Sequence, residues 1–462
     1  MGESAIGSEQ HLVIARLGGA GDAPAVLLLK GPDGWSLPSV QLEERRSADV
    51  ADLNRAVRSE FGVEVSILRC LFDEAAQGGR PRQQVYEVET HGTDWAPPSH
   101  ARWIGDGELG GVALARPEQR TLLDSWYLDR AARRSPSDGR DWTSPGWQEQ
   151  VIAWVDVELS RGGLGSVREI EQVKVWEFSH LLRLRTADGG VFYLKALPHS
   201  GAMEPKLTRQ LAELHPRSMP ALVAVEPDRR LMLMRATHGA ELMEVSDLWR
   251  WEQAAETLAH IQIGWIERRE ELVALGCPHR GLDWLVAEID PLLADTPALI
   301  PKHAEGLSES EVVQLRRHAP ELEAMCGELA GYTIPDSLEH GDLWGVNVIA
   351  GADTCVFIDW EDASLSHPFF SPSLLLLSLH YTEALAHVPD ARARIREAYL
   401  RPWRAAACTR ADHLEPAFDL AQRVAMLHYA VQFRRFALPR IETSWEVKAF
   451  APLFLKRLIE HE

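Results

Sequence analysis

His340-Gly341-Asp342, the following Asn347 and the run Asp359-Trp360-Glu361-Asp362 are polar groups in a stretch, Leu338 to Pro368, that otherwise reads as apolar strand and turn. Such groups either finish hairpin turns or converge on something that needs oxygen ligands. The chemistry they can do together is phosphoryl transfer to a hydroxyl. A carboxylate orients the attacking hydroxyl, carboxylate and amide oxygens hold magnesium, and a Lys steadied by a Glu holds the nucleotide phosphates. The segment VIAGADTCVFIDW reads as strand, turn, strand, which returns Asp359 to the same end of a hairpin as Asn347. Upstream, in the order this chemistry asks for, Lys195 ends the strand-like GGVFYLKALP. Glu204 then opens the amphipathic MEPKLTRQLAELHP, and Glu213 lies further along it. An acidic residue at a helix start also complements the macrodipole, so Glu204 has a local reason to be there as well.

HGDLWGVN carries the H-x-D-x-x-x-x-N spacing of the kinase catalytic loop. Together with the downstream I-D-W, it resembles the aminoglycoside phosphotransferase and choline-kinase-like family, relatives of the protein kinases. The resemblance runs from about Trp147 to the end of the sequence. It implies an α+β, bilobal protein-kinase-like fold with a β-rich small lobe and a mostly helical large lobe. It also implies ATP and magnesium as cofactors and a small-molecule hydroxyl as acceptor, on an aminoglycoside, amino alcohol or sugar. By the same resemblance Asp342 is the catalytic base, Asn347 and Asp359 bind metal, and Lys195 with Glu204 serves the nucleotide. Leu233, Met234 and Arg235, at the exit of LVAVEPDRRLMLMR, fall at the hinge whose backbone pairs with the adenine edge. No G-x-G-x-x-G is present; the equivalent turn is WEFSHLL, with Ser179 near its tip as the candidate phosphate contact. His340 is expected to hold the loop rather than do acid-base work. Glu361 and Asp362 cap the next element, or Glu361 faces substrate.

The run from Trp35 to Val65 resembles the signature region of Nudix hydrolases, whose helix carries several glutamates that bind magnesium beside a pyrophosphate. A hard cation needs several carboxylate oxygens on one helix face. Registered from Gly62-Val63, this chain keeps Arg55 and Glu60, but has Ala56 and Ser59 at expected glutamate positions, and Gln41 and Ser47 near the expected early Gly and Glu. The implication is a Nudix-like domain without Nudix catalysis.

The elements that must position these groups fall into blocks. Residues 1–133 show short strands (HLVIARL, AVLLLK, QQVYEVE) around one helix, SADVADLNRAVRSEFG, with Ser47 as N-cap and Gly62 as terminator. A Pro/Gly/Ser-rich linker is expected over 134–146, a small lobe over 147–236 and a mostly helical lobe with the catalytic loop over 237–462.

Composition narrows the partners. At 462 residues the chain needs more than one core, and a formal net charge of −20 argues against nucleic acid. The five cysteines are scattered and never paired as C-x-x-C, which fits a reducing compartment. MGESAIGSEQ lacks the basic start and apolar core of a signal peptide, and no apolar run is long enough for a bilayer, so a cytoplasmic protein without membrane partners is expected. Acidic residues between Ala240 and Glu339 either face a cationic acceptor or keep helices solvated. Trp251, Trp265, Trp284 and Trp403 either stack on the acceptor or fill the core. Two other classes compete with the kinase: a kinase-like nucleotide sensor without transfer, and a pyrophosphatase working from the first block.

Overall fold

The computed structural model describes residues 8–16, 24–42, 48–76, 81–91, 95–131, 138–302 and 304–460. The chain is mixed α and β and divides into two compact units. Met1–Ser200 with Ile441–Trp445 forms the first, and Gly201–Arg440 with Glu446–Glu462 the second.

The first unit begins with a seven-stranded mixed sheet. Its strands are β1 (Ser8–Arg16), β2 (Ala25–Gly31), β3 (Gly34–Ser36), β4 (Ser39–Leu42), β5 (Glu64–Glu74), β6 (Gln83–His91) and β7 (Ala101–Gly105). β1 is central: it runs parallel to β6 and antiparallel to β2 and β4. Leu12, Val13 and Ile14 are successive and fully buried, the continuous apolar run of a strand covered on both faces. Helix α1 (Ala51–Phe61) turns Leu53 and Val57 inward. It stops because Gly62 adopts φ +63° and returns its N–H to the Arg58 carbonyl. The start differs from the sequence expectation. Val50 precedes the first turn without a side-chain cap, and Ser47 lies outside the described residues. A second helix, α2 (Gln119–Ala131), lays Leu123, Trp126 and Tyr127 into the core of this sheet.

The polar stretch read as a linker is described from Asp138. There it forms a short 3-10 turn, Asp141–Thr143, in which Trp142 is 1% exposed. Helix α3 (Trp147–Arg161) buries Trp147, Val151, Val155 and Leu159, one residue per turn. It leads into the antiparallel meander β8 (Val167–Val175), β9 (His180–Thr186) and β10 (Val191–Ala196). β8 is joined to the first sheet by one buried side chain. Gln172 accepts the Ile67 N–H at 2.7 Å, donates to the Ile67 carbonyl at 3.1 Å and accepts from Asn54 at 3.0 Å.

The second unit opens with α4 (Glu204–Leu214), whose Leu207, Thr208 and Leu211 face inward. A hairpin comes next, β11 (Leu222–Glu226) and β12 (Leu231–Arg235). Beyond β13 (Ala240–Glu241) the unit is mainly helical. Its longer helices include α5 (Leu248–Trp265), α6 (Leu282–Ala294) and α7 (Ala319–Gly331). Short strands interrupt them: β14 (Ser337–Glu339), β15 (Val348–Ala350), β16 (Cys355–Phe357) and β17 (Ser364–Ser366). β14 pairs with β17, and β13, β15 and β16 form a three-stranded sheet. Helices α8 (Ser371–Leu377), α9 (Ala391–Ala406), α10 (Ala411–Gln432) and α11 (Phe450–Glu460) complete one large apolar core. Among the described residues no helix is long and apolar enough to cross a membrane.

Candidate active site

β14 delivers His340, Gly341 and Asp342 into a loop, and the β15–β16 hairpin brings the chain back to it. The Ile358 N–H donates to the Asn347 carbonyl at 3.0 Å, which sets Asp359 beside the residue that opened the hairpin. Asn347 is 8% exposed. Its Nδ2 donates to the Asp342 carbonyl at 2.7 Å and to Asp342 Oδ2 at 3.1 Å. Both amide hydrogens are thereby engaged, and Oδ1 is the atom left to offer a cation. Asp342, Asn347 and Asp359 are therefore placed by one short segment, as the sequence spacing implies.

The loop is built to tight tolerances. Gly341 has φ +85°, and a Cβ there would stand 2.2 Å from the Asp362 carbonyl oxygen, so only glycine fits. His340 is fully buried against the Trp360 ring, centroids 4.3 Å apart. Its Nε2 lies 3.1 Å from the Ile358 carbonyl, and its Nδ1 accepts the Asp342 N–H at 3.4 Å. A carbonyl can only accept, so Nε2 carries the proton. With both ring nitrogens committed, His340 braces the loop.

Asp359 sits at φ +67°, the left-handed region that a non-glycine residue adopts at a cost. Glu204, Asp359 and Glu361 place one carboxylate oxygen each within 4.8 Å of one another, the one such cluster among the described residues. Glu204 is 1% exposed and accepts the Trp360 N–H at 3.2 Å. Glu361 pairs with Arg440 at 2.7 Å, both largely buried. Like-charged carboxylates this close are expensive unless a cation or donors face them. A hard divalent cation such as magnesium suits this all-oxygen donor set.

The other predicted site residues lie where the strands put them. In the first unit Lys195 is 8% exposed on β10, opposite Leu181. Ser179, 7% exposed, closes its own turn: its hydroxyl accepts the Trp176 indole N–H at 3.0 Å and its carbonyl the Trp176 amide at 3.1 Å. In the second unit Met234 of β12 pairs with Leu222 of β11, and the Arg235 N–H donates to the Ala221 carbonyl at 2.9 Å. That amide is engaged within the hairpin.

Three of the aromatic residues considered as acceptor platforms are core. Trp251, Trp265 and Trp403 are fully buried, while Trp284 stacks on Phe436 with centroids 6.2 Å apart. The SHPFF turn is interior as well, with Phe369 and Phe370 fully buried and the Ser366 hydroxyl donating to the Arg280 carbonyl at 2.7 Å. Glu361 takes an arginine partner rather than a helix cap. Glu339, just before the loop, is a fully buried carboxylate that the spacing argument did not single out.

No family model matches the sequence, and no curated protein matches it. Among solved structures the chain is similar to a type I macrolide 2'-phosphotransferase, with 16% identity over 68% of this chain and 97% of that one, at a TM-score of 0.46. It is similar to the choline kinase LicA of Streptococcus pneumoniae, with 12% identity over 67% and 98%, at 0.44. A further similar structure is the GDP and kanamycin complex of APH(2")-IIia, with 14% identity over 66% and 98%, at 0.43.

Proposed function

We propose that the chain is a phosphotransferase that moves the γ-phosphoryl group of ATP, with magnesium, to a hydroxyl of a small molecule such as an aminoglycoside, an amino alcohol or a sugar. The observation that carries the proposal is the short segment on which Asp342, Asn347 and Asp359 meet. One side chain, Asn347, bonds the carboxylate of the first, and its backbone carbonyl accepts the N–H of Ile358, the residue before the third.

In this reading Asp342 accepts a hydrogen bond from the acceptor hydroxyl and orients its lone pair toward phosphorus. The acceptor oxygen forms the new P–O bond as the bond from the γ-phosphorus to the β-phosphate oxygen breaks. ADP leaves, and the hydroxyl proton passes to Asp342. Asn347 and Asp359 would hold the magnesium, with Glu204 and Glu361 clustered around Asp359, and the ion would supply positive charge against the phosphates. Lys195 is assigned to the nucleotide phosphates, Ser179 to the turn over them, and Met234 and Arg235 to the adenine edge.

The domain assignment belongs to the same proposal: a Nudix-like, non-catalytic domain over 1–133, a linker over 134–146, a small lobe over 147–236 and a helical lobe over 237–462. The non-catalytic part of the first assignment is supported by α1, where Glu60 stands without the other glutamates that a Nudix metal site needs. Scattered unpaired cysteines support a cytoplasmic location.

The test is an ATP-consumption screen over aminoglycosides, choline-like amines and sugars, run on wild type and Asp342→Ala. The variant should bind magnesium-ATP by calorimetry with near wild-type affinity and lose turnover. Wild-type-like transfer by the variant would sink the assignment of Asp342. Nucleotide binding by wild type with no consumption across the panel would instead make the chain a sensor.

A further inference from the structure

Glu339 immediately precedes the His-Gly-Asp loop and is fully buried. Its Oε1 accepts the Gly341 N–H at 2.8 Å and the Ser371 hydroxyl at 3.3 Å, and the Tyr429 hydroxyl stands 3.1 Å away. Its Oε2 accepts the Ser364 hydroxyl at 3.2 Å, with His428 Nε2 at 3.7 Å. The Ser371 hydroxyl also accepts the His340 N–H at 2.9 Å. On the other side of the same peptide, Gln432 Nε2 donates to the Gly341 carbonyl at 2.9 Å.

These bonds have a direction. Every group aimed at Glu339 from β17, α8, α10 and the loop can act as a donor, and an ionised carboxylate is the one side chain that only accepts, with about four lone-pair sites. Burial alone would push this carboxyl up; the His428 ring close by, the Gly341 N–H bond and the nearby Arg280 hold it below the usual range, so it is an anion at neutral pH. An anion of that kind, fully buried, is costly unless each lone pair is used, which makes its donors hard to displace. Two of the amides so held are consecutive, His340 and Gly341, and the next residue is Asp342.

We propose that Glu339 is a positioning residue for the transfer reaction: it holds the two amides before Asp342, Gly341 directly and His340 through the Ser371 hydroxyl, and so fixes where the Asp342 carboxylate stands. The proposal rests on Asp342 being the base, but its structural half is measurable without turnover. An amide side chain at 339 would direct an NH2 group at hydroxyls or at an N–H, and the loop would lose one of its anchors. Small displacements at a reacting carboxylate cost rate rather than nucleotide affinity.

The experiment uses the full chain and three variants, Glu339→Gln, Ser371→Ala and Tyr429→Phe, checked first for a wild-type melting transition. Deuterium exchange is followed on peptides spanning Leu338 to Trp344, and kcat and KM are measured with magnesium-ATP and whichever panel acceptor is turned over. Glu339→Gln should speed exchange of the loop amides by about tenfold or more. It should lower kcat on the order of tenfold to a hundredfold with KM for ATP within about twofold. Ser371→Ala should fall between, and carries the test if Glu339→Gln does not fold. Tyr429→Phe, which removes a hydroxyl 3.1 Å from the same carboxylate and 2.9 Å from the Phe370 carbonyl but holds no loop amide, should leave loop exchange unchanged. Wild-type exchange in folded Glu339→Gln and Ser371→Ala overturns the proposal. So does loosening by Tyr429→Phe equal to that of Glu339→Gln, because the carboxylate would then be core alone. If wild type consumes no ATP, the function assigned to Asp342 fails, and the exchange results still decide whether Glu339 places the loop.

Discussion

The Glu177 carboxylate accepts the backbone N–H of Thr443 at 2.8 Å. The same oxygen takes the amides of Glu442 at 3.0 Å and Ser444 at 3.2 Å, and the other accepts the Ser444 hydroxyl at 2.7 Å. Successive amides turned to one point make an anion nest, and here a side chain fills it. Glu177 belongs to the Trp176–Ser179 turn, so this turn is tied to Ile441–Trp445 within the first unit. Trp445 is anchored in turn, its indole N–H 3.3 Å from Asp73. Replacing Glu177 by Ala strands several donors and should cost about 3 kcal/mol. Urea unfolding of the full chain checks this, together with limited proteolysis, where cleavage near 441–445 should appear. An unchanged midpoint and digest would show that the nest carries no stability.

The same residue gives a pH dependence, shared with two histidines. Burial would raise the Glu177 carboxyl, but the Thr443 amide and the Ser444 hydroxyl and amide hold it below its ordinary value of 4.5. Its stabilisation is present above that value and is lost as pH falls through the lower folded one. Burial pushes His180 and His367 down to about 3 from 6.5. Each is neutral in the folded protein and protonates first in the unfolded chain, so stability declines as pH falls from 6.5 toward 3, by about 1.4 kcal/mol per pH unit for each histidine at the steepest. The urea midpoint should be lower at pH 5 than at pH 7.5, and His180→Asn should flatten that slope. A midpoint independent of pH across this window contradicts the burial argument.

Local chemistry was legible in the sequence, and long-range partnership was not. The strands of the meander, the β15–β16 hairpin and helix α4 follow from alternation, turn residues and helical spacing, all written within a few residues. Asp342, Asn347 and Asp359 share that property, because one loop and one hairpin bring them together. Glu204 was readable for a coarser reason, since a helix start favours an acid whatever its task. The partners of Glu177, Gln172 and Glu339 lie 267, 105 and 90 residues away in sequence, and no local pattern marks a carboxylate or amide for such a neighbour. The aromatic residues were ambiguous for a different reason. Trp251, Trp265 and Trp403 carry the same chemistry at a binding surface and in a core, and only tertiary burial separates the two uses.

Gly341 supplies a sharper test of the loop. With φ +85° and the Asp362 carbonyl 2.2 Å from a built Cβ, alanine faces both torsional strain and a backbone clash. Gly341→Ala should destabilise by at least about 2 kcal/mol. Any folded fraction should show turnover reduced on the order of a hundredfold, because Asp342 is the next residue. Calorimetric melting and the ATP-consumption rate read the two effects separately. A variant that melts and turns over like wild type would mean the loop opens more easily than its geometry implies.

Asp359 offers a joint test of backbone strain and of the proposed cation role. Its φ of +67° costs roughly 1 kcal/mol for a residue with a Cβ, and its carboxylate is crowded by Glu204 and Glu361. Both penalties fall away in Asp359→Gly, so the variant should melt at or above the wild-type temperature when no ligand is added. Asn tolerates this backbone region, so Asp359→Asn keeps the conformation while removing the charge. Magnesium-ATP should raise the wild-type melting temperature, as any ligand of the native state does, and should raise neither variant to the same extent. The two halves must appear together. Higher ligand-free stability with lost magnesium-ATP stabilisation marks a carboxylate held in place for a cation. A ligand response equal to wild type in both variants would remove Asp359 from the metal site and leave its backbone conformation without a functional reason.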